Sequence, residues 1–446
     1  MISSVSIASL KKAVDISLRH YSIVILLLSF FSFTDLSFAQ TVQPKTDDLI
    51  ERIMKAHPEK FKNILESPQQ YRVQIIYTQI KRDKNNLPHF SQHTYHLNKY
   101  HYFYPASLVK LPVAALSLEK INRLKADSLK YYPKLSALFK ETRMKIDSTY
   151  YCQSVVEKDS TSETGFPSIA HYIKKMMLVS DNDAYTHLYE FLGQEYANNR
   201  LWEKGYTSAR IIHRLKMCDT LQNRYTNPIL FLHSGGDTIY NQRMQYNPQQ
   251  LKKFLGVVKV GKKNIENGKL VAKPKEFTYN NYLCLQDIND VLLSIMFPQA
   301  AIEKKRFQLI TDDYHFLRKY MSMYPTECNA PKYDSANYHD CYKKYLFYGN
   351  SKDSITDKNI RIFNVVGQSY GFLSDVAYIA DFQNKIEFAI SAVIYVNSDG
   401  ILNDGKYEYD TIGFPFLANL SRAIYEYEKK RSRSTVPDLS EFKIDY

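Results

Sequence analysis

The sequence predicts an α+β fold in which both ends of the chain build one antiparallel sheet and a mostly helical domain is inserted between them. Strand-like patterns occur near residue 75 and again after residue 360, whereas helical patterns and loops dominate the residues between. Strands that are so far apart in sequence, with helices between them, are typical of α+β architectures rather than of βαβ repeats. The hydrophobic fraction of 44% suits a globular core in such a fold.

The first strands follow an amphipathic helix. In "TDDLIERIMKAH", acidic residues precede apolar residues that recur on one helical face. The stretch "YRVQIIYTQI" alternates Val73, Ile75 and Tyr77 with polar neighbours, which predicts a strand. After the turn "NNLPH", the run "SQHTYHLNKYHYF" predicts its antiparallel partner.

The last part of the chain predicts the rest of the sheet. Residues 360–396 contain two or three strands with polar turns at 371–375 and 383–385, and a final helix is expected over about 415–429. We therefore assign residues 40–105 and 358–446 to a discontinuous sheet domain. Residues 106–357 form the helical domain, with insertions at about 230–280 and 315–350.

The first 39 residues have the composition of a secretory signal peptide. Lys11, Lys12 and Arg19 precede an apolar run over residues 21–33, and small residues end at Ala39. The apolar run is short for a membrane span. We expect cleavage before Gln40, export to the periplasm or the extracellular space, and no stable membrane anchor afterwards.

The charge and the histidines exclude some functions. The net charge of +13 is spread along the chain and fits a solvated surface or contact with anionic envelope polymers. No nucleic-acid-binding motif accompanies it, so no nucleic-acid partner is expected. His93 and His96 would face opposite sides of a strand, which is poor geometry for one metal ion. We expect no metal, no cofactor and a monomer.

The cysteines predict one disulfide. Of the five cysteines, Cys328 and Cys341 flank a short stretch rich in Asn, Pro, Asp and Tyr. An oxidising compartment would allow these two to pair. The odd count leaves at least one free thiol.

The first candidate functional motif is "YPASLVKLPVAAL", residues 104–116. On a helix Ser107 and Lys110 lie one turn apart on the same face, so the lysine amine can reach the serine oxygen. The flanking leucines and valines would desolvate the amine and lower its pKa, which allows it to accept the hydroxyl proton. The same spacing at Ser9 and Lys12 shows that it also arises by chance, and a helix start with a solvent-reaching lysine is the alternative.

The second motif is Ser180-Asp181-Asn182 in "HYIKKMMLVSDNDAYTHLYEFLG". It interrupts two helical patterns, and such residues suit a turn because their side chains bond to nearby backbone groups. A short loop between helices could also aim a hydroxyl and an amide into a cleft.

Taken together and in this order, Ser-x-x-Lys and Ser-Asp-Asn resemble two signatures of the penicillin-recognising serine hydrolases, the class A β-lactamases and penicillin-binding proteins. The resemblance covers residues 70–430 and implies the β-lactamase/transpeptidase-like fold. The third signature of these enzymes is Lys-Thr-Gly. Both Lys259–Gly261 and Val365–Gly367 are candidates, and the second is preferred because a strand hairpin follows it.

The resemblance implies a role for each matched residue. Ser107 would attack a carbonyl, Lys110 would act as its base, and Ser180 would relay a proton to the leaving nitrogen. Asn182 would bind the amide carbonyl of the substrate.

The third motif would contribute the substrate-binding edge. The N–H groups of Ser107 and Gln368 would form the oxyanion hole, Gly367 would let the backbone approach the substrate, and Val365 would line the site.

Two departures from the family pattern bear on activity. Val365 replaces the lysine that provides positive charge beside the substrate carboxylate. No glutamate precedes Thr226-Asn227-Pro228 to activate a deacylating water, and Asp219 is the only acid nearby.

We therefore expect an exported serine hydrolase that forms an acyl-enzyme on a small-molecule β-lactam, a peptidoglycan-like compound or a related amide or ester. A non-catalytic envelope-binding protein and a D,D-peptidase or esterase are the alternatives.

Overall fold

The computed structural model describes residues 47–216, 218–251, 254–355 and 357–446. The signal peptide predicted at residues 1–39 lies outside these ranges. Within them, no helix combines the length and apolar character that a membrane crossing requires. The helices are α1 (Leu49–Lys55), α2 (Pro58–Glu66), α3 (Lys110–Tyr131), α4 (Ile169–Val179), α5 (Asn182–Leu192), α6 (Gln194–Glu203), α7 (Leu285–Met296), α8 (Thr311–Ser322) and α9 (Phe414–Lys430).

The strands form one large sheet and several small ones. In chain order they are β1 (Gln74–Arg82), β2 (Pro88–Tyr95), β3 (Arg143–Ile146), β4 (Ile229–Leu232), β5 (Thr238–Gln242), β6 (Lys259–Val260), β7 (Lys263–Glu266), β8 (Lys269–Val271), β9 (Lys275–Glu276), β10 (Ile360–Ser369), β11 (Phe372–Asp381), β12 (Ile386–Tyr395) and β13 (Ile401–Leu402). The large sheet has the order β10-β11-β12-β1-β2 and its neighbouring strands are antiparallel. Both ends of the described chain therefore build it, as the α+β prediction requires.

The large sheet is covered on both faces. On β11, Val376 and Tyr378 pack into the core shared with the helical part of the chain. Their neighbours Ala377 and Ile379 pack into a second core with α1, α2 and α9. A strand that is buried on both faces needs apolar residues at successive positions, which explains why β11 and β12 show little alternation.

The sequence placed most elements of the sheet correctly but missed details. The final helix and the turn after β11 are confirmed. The turn predicted at 371–375 is shorter, because Ser374 and Asp375 already pair with β10. The middle of the chain is less helical than expected, since β3 to β9 lie there. The division into domains and insertions stays a prediction.

The predicted disulfide is wrong. Cys328 and Cys341 are buried free thiols in separate hydrophobic clusters, and the disulfide joins Cys152 to Cys218. The turn-rich spacing between Cys328 and Cys341 does not determine where their side chains point. The bonded cysteines are 66 residues apart, so their proximity depends on tertiary packing.

Replacing both Cys152 and Cys218 with serine should lower the free energy of unfolding by about 2–4 kcal/mol, because the bond restricts a long loop of the unfolded chain. Denaturant unfolding measures this difference, and the wild-type protein in reductant is the control and should match the variant. A non-reduced digest should contain the Cys152–Cys218 peptide pair. A linked Cys328–Cys341 pair would contradict the structure.

Candidate active site

Ser107 lies in a 3-10 turn, Ala106–Val109, that leads directly into α3. Ala106 has a φ of 46°, a left-handed conformation that costs a residue with a side chain about 1–2 kcal/mol. Its buried side chain and that of Leu108 hold the turn in the core. Ser107 itself is half-buried, so a rigid turn presents its hydroxyl at the surface.

Lys110 is the first residue of α3 and is fully buried. As expected from the sequence, apolar neighbours such as Leu108 and Leu111 surround it, and both are fully buried as well. Desolvation lowers the pKa of the Lys110 amine well below its usual value. The positive charge of Lys343 lowers it further, and Asp181 acts in the opposite direction.

The surroundings of the Lys110 amine fit its neutral form. Its Nζ lies 2.9 Å from Ser107 Oγ, 2.9 Å from Ser180 Oγ, 2.5 Å from the Ser180 carbonyl oxygen and 2.7 Å from Asn182 Oδ1. The two carbonyl oxygens can only accept hydrogen bonds, whereas the two hydroxyls can also donate. A neutral amine can donate to both carbonyls and accept from the Ser107 hydroxyl. This geometry permits proton transfer from Ser107 to Lys110.

The loop between α4 and α5 positions Ser180 through its backbone. Ser180 ends α4 in a left-handed conformation with φ 58°, and its N–H donates to the Met176 carbonyl at 3.1 Å. The Asp181 carboxylate accepts from the Ala184 N–H at 2.8 Å and caps α5. Asp181 thus stabilises the turn, while Ser180 directs its hydroxyl towards Lys110. The motif thus forms the predicted turn, and its Ser180 hydroxyl and Asn182 Oδ1 both contact Lys110 Nζ.

Strand β10 forms an edge of the sheet and contacts the turn that carries Ser107. A Cβ atom on Gly367 would lie 2.5 Å from the Pro105 carbonyl oxygen and 2.7 Å from Ser374 Oγ. Only glycine allows this close approach. Lys259, in the competing third motif, is exposed and belongs to a separate two-stranded ladder. Of the two candidates for the third motif, Val365–Gly367 is therefore the one that lies against the turn of Ser107.

The backbone of Gln368 faces the free edge of β10. The turn residues Tyr370 and Gly371 both have positive φ, as in a two-residue β-hairpin. Ser369 and Phe372 are therefore the hydrogen-bonded pair that closes this hairpin. Hydrogen-bonded pairs alternate along antiparallel strands, which directs the Gln368 N–H away from β11. Ile362 lies six residues before Gln368 on the same strand, so its backbone groups also point away from β11. Its carbonyl accepts a hydrogen bond from Lys344 Nζ at 2.8 Å. The Gln368 N–H thus points out of the sheet on the edge of β10.

Val365 lies below the site rather than on its surface. Its side chain is 3% exposed and packs into the core between the sheet and the helices. The strand position that carries a lysine in the resembled enzymes is therefore apolar and covered here.

A second buried lysine approaches the site from a different segment. Lys343 Nζ donates to the Met176 carbonyl at 3.2 Å and to the Met177 carbonyl at 3.1 Å. Asn364 on β10 donates to the Lys343 carbonyl at 2.7 Å. Burial lowers the pKa of Lys343 to about 7. Sequence analysis missed this residue, because it lies in a presumed insertion and no motif spacing marks it.

Residues 343–348, which we call the edge segment, are fixed to β10 by further polar contacts. Lys344 Nζ donates to the carbonyls of Met321 and Ile362 and to Asn364 Oδ1 at 2.6–2.8 Å. Asp375 accepts from the Leu346 N–H at 3.0 Å and from Asn364 at 2.9 Å. Burial lowers the pKa of Lys344 to about 7 and raises that of Asp375 to about 7.

Asp219 has a structural partner. It is exposed, and its carboxylate accepts from the Gln222 N–H at 2.6 Å. Its loop is held by the disulfide at Cys218 and by a buried ion pair of Arg214 with Glu190 at 2.7 Å. The loop is therefore fixed in a conformation that turns Asp219 towards solvent.

An aromatic cavity borders the site. Its volume is about 290 Å³, and its lining includes Tyr102, His213 and Phe277 but none of the predicted site residues. The ring of Tyr370 packs against the rings of Tyr104 and Phe277, with distances of 5.2 and 5.1 Å between the ring centroids. These rings separate the cavity from the turn that carries Ser107.

The antiparallel sheet with a serine–lysine–serine cluster at its edge places the protein in the β-lactamase-like class of α+β proteins. The family model described as the Beta-lactamase enzyme family matches residues 58–306. This range covers more than half of the chain, and the chain belongs to that family. The match includes Ser107, Lys110 and Ser180 and ends before β10.

Solved β-lactamase structures are similar over most of the chain at low identity. The enzyme from Sphaerobacter thermophilus DSM 20745 is 10% identical with a TM-score of 0.42, covering 86% of this chain and 99% of its own. The enzyme from Burkholderia phymatum is 12% identical with a TM-score of 0.43, covering 84% and 98%. The class A β-lactamase from Clostridium kluyveri DSM 555 is 12% identical with a TM-score of 0.41, covering 83% and 98%. No curated protein sequence matches the chain.

Replacing Gly367 with alanine should lower the free energy of unfolding by about 1–3 kcal/mol, because the added Cβ must push β10 away from the Pro105 carbonyl. Gly235→Ala is the matched control, since a Cβ on Gly235 would meet no atom within 4 Å. Denaturant unfolding of both variants measures the difference. Equal stability of the two variants would show that β10 does not press against the nucleophile turn.

Proposed function

We propose that this protein is an exported serine hydrolase that forms an acyl-enzyme on a small-molecule β-lactam or a related amide or ester. The observation that carries the proposal is the buried Lys110 amine, which lies 2.9 Å from Ser107 Oγ and whose pKa is lowered by desolvation. A desolvated amine of this kind is a general base that can activate a serine near neutral pH.

In the proposed reaction, Ser107 Oγ attacks the carbonyl carbon of the substrate while its proton moves to Lys110 Nζ. The negative charge on the carbonyl oxygen is stabilised by the N–H groups of Ser107 and Gln368. The proton then passes through the Ser180 hydroxyl to the leaving nitrogen as the C–N bond breaks. Asn182 is exposed, and its amide N–H groups would donate to the substrate's amide carbonyl.

Two independent observations support export. The N-terminal residues have the charge and apolar pattern of a signal peptide. The disulfide between Cys152 and Cys218 is of a kind that persists in oxidising compartments.

The position of Asp219 favours slow release of the acyl group. Its carboxylate caps a turn and faces solvent, so it is poorly placed to activate a water molecule at Ser107. This observation supports a second candidate function, an enzyme of the penicillin-binding type that acts as a D,D-transpeptidase and passes its acyl group to an amine instead of water. In either case the acyl-enzyme should accumulate with a β-lactam.

A fluorescent penicillin should label the protein at Ser107, and the label should persist after the free reagent is removed. Intact mass and peptide mapping measure both the site and the lifetime. Ser107→Ala should abolish labelling. The matched control is Ser117→Ala, because Ser117 is a buried serine of α3 that bonds only to the Val113 carbonyl among the described contacts.

Labelling at a residue other than Ser107 would overturn the assignment of the nucleophile. A folded protein that takes up no label from a penicillin or from a fluorophosphonate would favour a non-catalytic envelope-binding protein on the same fold.

A further inference from the structure

The site contains a buried cation that the family pattern does not predict. Strand β10 carries Val365 where the resembled enzymes have a lysine, yet the Lys343 ammonium group reaches the end of α4 from the edge segment. The Met176 carbonyl accepts from both Lys343 Nζ and the Ser180 N–H. The Met176 carbonyl thus links Lys343 to Ser180, and Ser180 in turn contacts Lys110.

We propose that Lys343 is a positioning residue of this site, whose ammonium group holds the last turn of α4 beneath Ser180 and brings a positive charge to the loop that contacts Lys110. The inference rests on the proposed function. It identifies Lys343 as the source of a positive charge that β10, which carries Val365 instead of a lysine, does not provide. The edge segment is then a part of the site rather than an accessory insertion.

The contact with α4 is favourable because of the helix geometry. The last carbonyls of a helix have no partner within it and carry partial negative charge. Lys343 donates to two of them, at Met176 and Met177. This contact stabilises the turn in which Ser180 adopts its left-handed conformation.

Charged groups around Lys110 raise or lower its pKa. Lys343 lowers the pKa of Lys110, and Asp181 raises it. Asp181 is itself 3.6 Å from the Lys175 ammonium, which offsets part of its charge. Asp375 faces Lys343 and raises its pKa, although burial has the larger effect and brings it to about 7.

The neighbouring Lys344 completes this set of charges. The pKa of Lys344 is lowered first by burial and then by Lys343. Of the charged groups in the described part of the chain, Lys343 and Asp181 are the two that shift the pKa of Lys110. Lys344 therefore belongs to the attachment of the edge segment on β10.

The direction of the charge effect follows from these groups. Below about pH 7 Lys343 carries a positive charge, and this charge lowers the pKa of Lys110. A positive neighbour makes protonation of Lys110 less favourable, so its loss moves the deprotonation of Lys110 to higher pH. The reactive form of the site would then be lost earlier as the pH falls.

The test is the pH profile of Ser107 acylation by a fluorescent penicillin, measured between about pH 5 and 9 for the wild type, Lys343→Met and Lys343→Arg. Lys343→Met should move the acid limb to higher pH and should therefore slow acylation more at the acid end of this range than at its alkaline end. Lys343→Arg keeps the charge and should keep the position of the limb.

Lys344→Met is the matched control, because Lys344 is equally buried and bonds to the β10 edge instead of α4. It should reduce stability without moving the acid limb. A loss of rate in Lys343→Met that is the same at every pH, or a shift of the same size in Lys344→Met, would overturn the proposal.

A second measurement separates this inference from the proposed function. NMR titration of ¹³C-labelled lysine side chains, with Lys110 assigned through Lys110→Arg, follows the proton on Lys110 without any substrate. Its midpoint should rise in Lys343→Met. An unchanged midpoint would reject the role of Lys343 even if penicillin labels Ser107 normally, whereas a raised midpoint in a protein that takes no label would reject only the enzymatic function.

Discussion

The burial of one amine, that of Lys110, is the constraint on which the rest of the site depends. An ammonium group in an apolar core without a carboxylate in contact is costly, and the neutral amine avoids most of that cost. The partners provided to it, two carbonyl oxygens and the hydroxyls of Ser107 and Ser180, suit a neutral amine that donates twice and accepts once. The neutral form, which makes Lys110 acceptable in the core, is therefore also the form that would act as a base.

The fold brings the parts of this arrangement together from distant places in the sequence. Strands from both ends of the described chain build the sheet, and this arrangement puts the edge strand β10 against the turn that precedes α3. Two residues with side chains, Ala106 and Ser180, adopt left-handed conformations on either side of Lys110. Dense packing must compensate for this strain, which explains why the site lies on buried turns and not on long surface loops.

Sequence analysis predicted the features that depend on local patterns. Ser107 and Lys110 could be paired because they lie one helical turn apart and because burial of Lys110 follows from the apolar residues beside it. Ser180 was connected to them through the resemblance to the penicillin-recognising serine hydrolases. The disulfide at Cys152 and the contact of Lys343 with α4 could not be predicted, because both join segments through tertiary packing. A lysine pair in a polar stretch has the composition of an exposed loop, although Lys343 and Lys344 are both buried. The exact start of β11 was missed because Ser374 and Asp375 favour turns locally but pair within the sheet.

Substitution of the buried amine by an apolar chain of similar length tests the central claim most directly. Lys110→Met should fold, because buried apolar residues flank the stem of the side chain, and the half-exposed Ser180 and exposed Asn182 can bond to water in place of the amine. The rate constant for penicillin acylation, measured by stopped-flow fluorescence on folded protein, should fall by about a hundredfold or more, as expected for loss of a general base. A folded Lys110→Met variant that is acylated within about threefold of the wild-type rate would contradict the account.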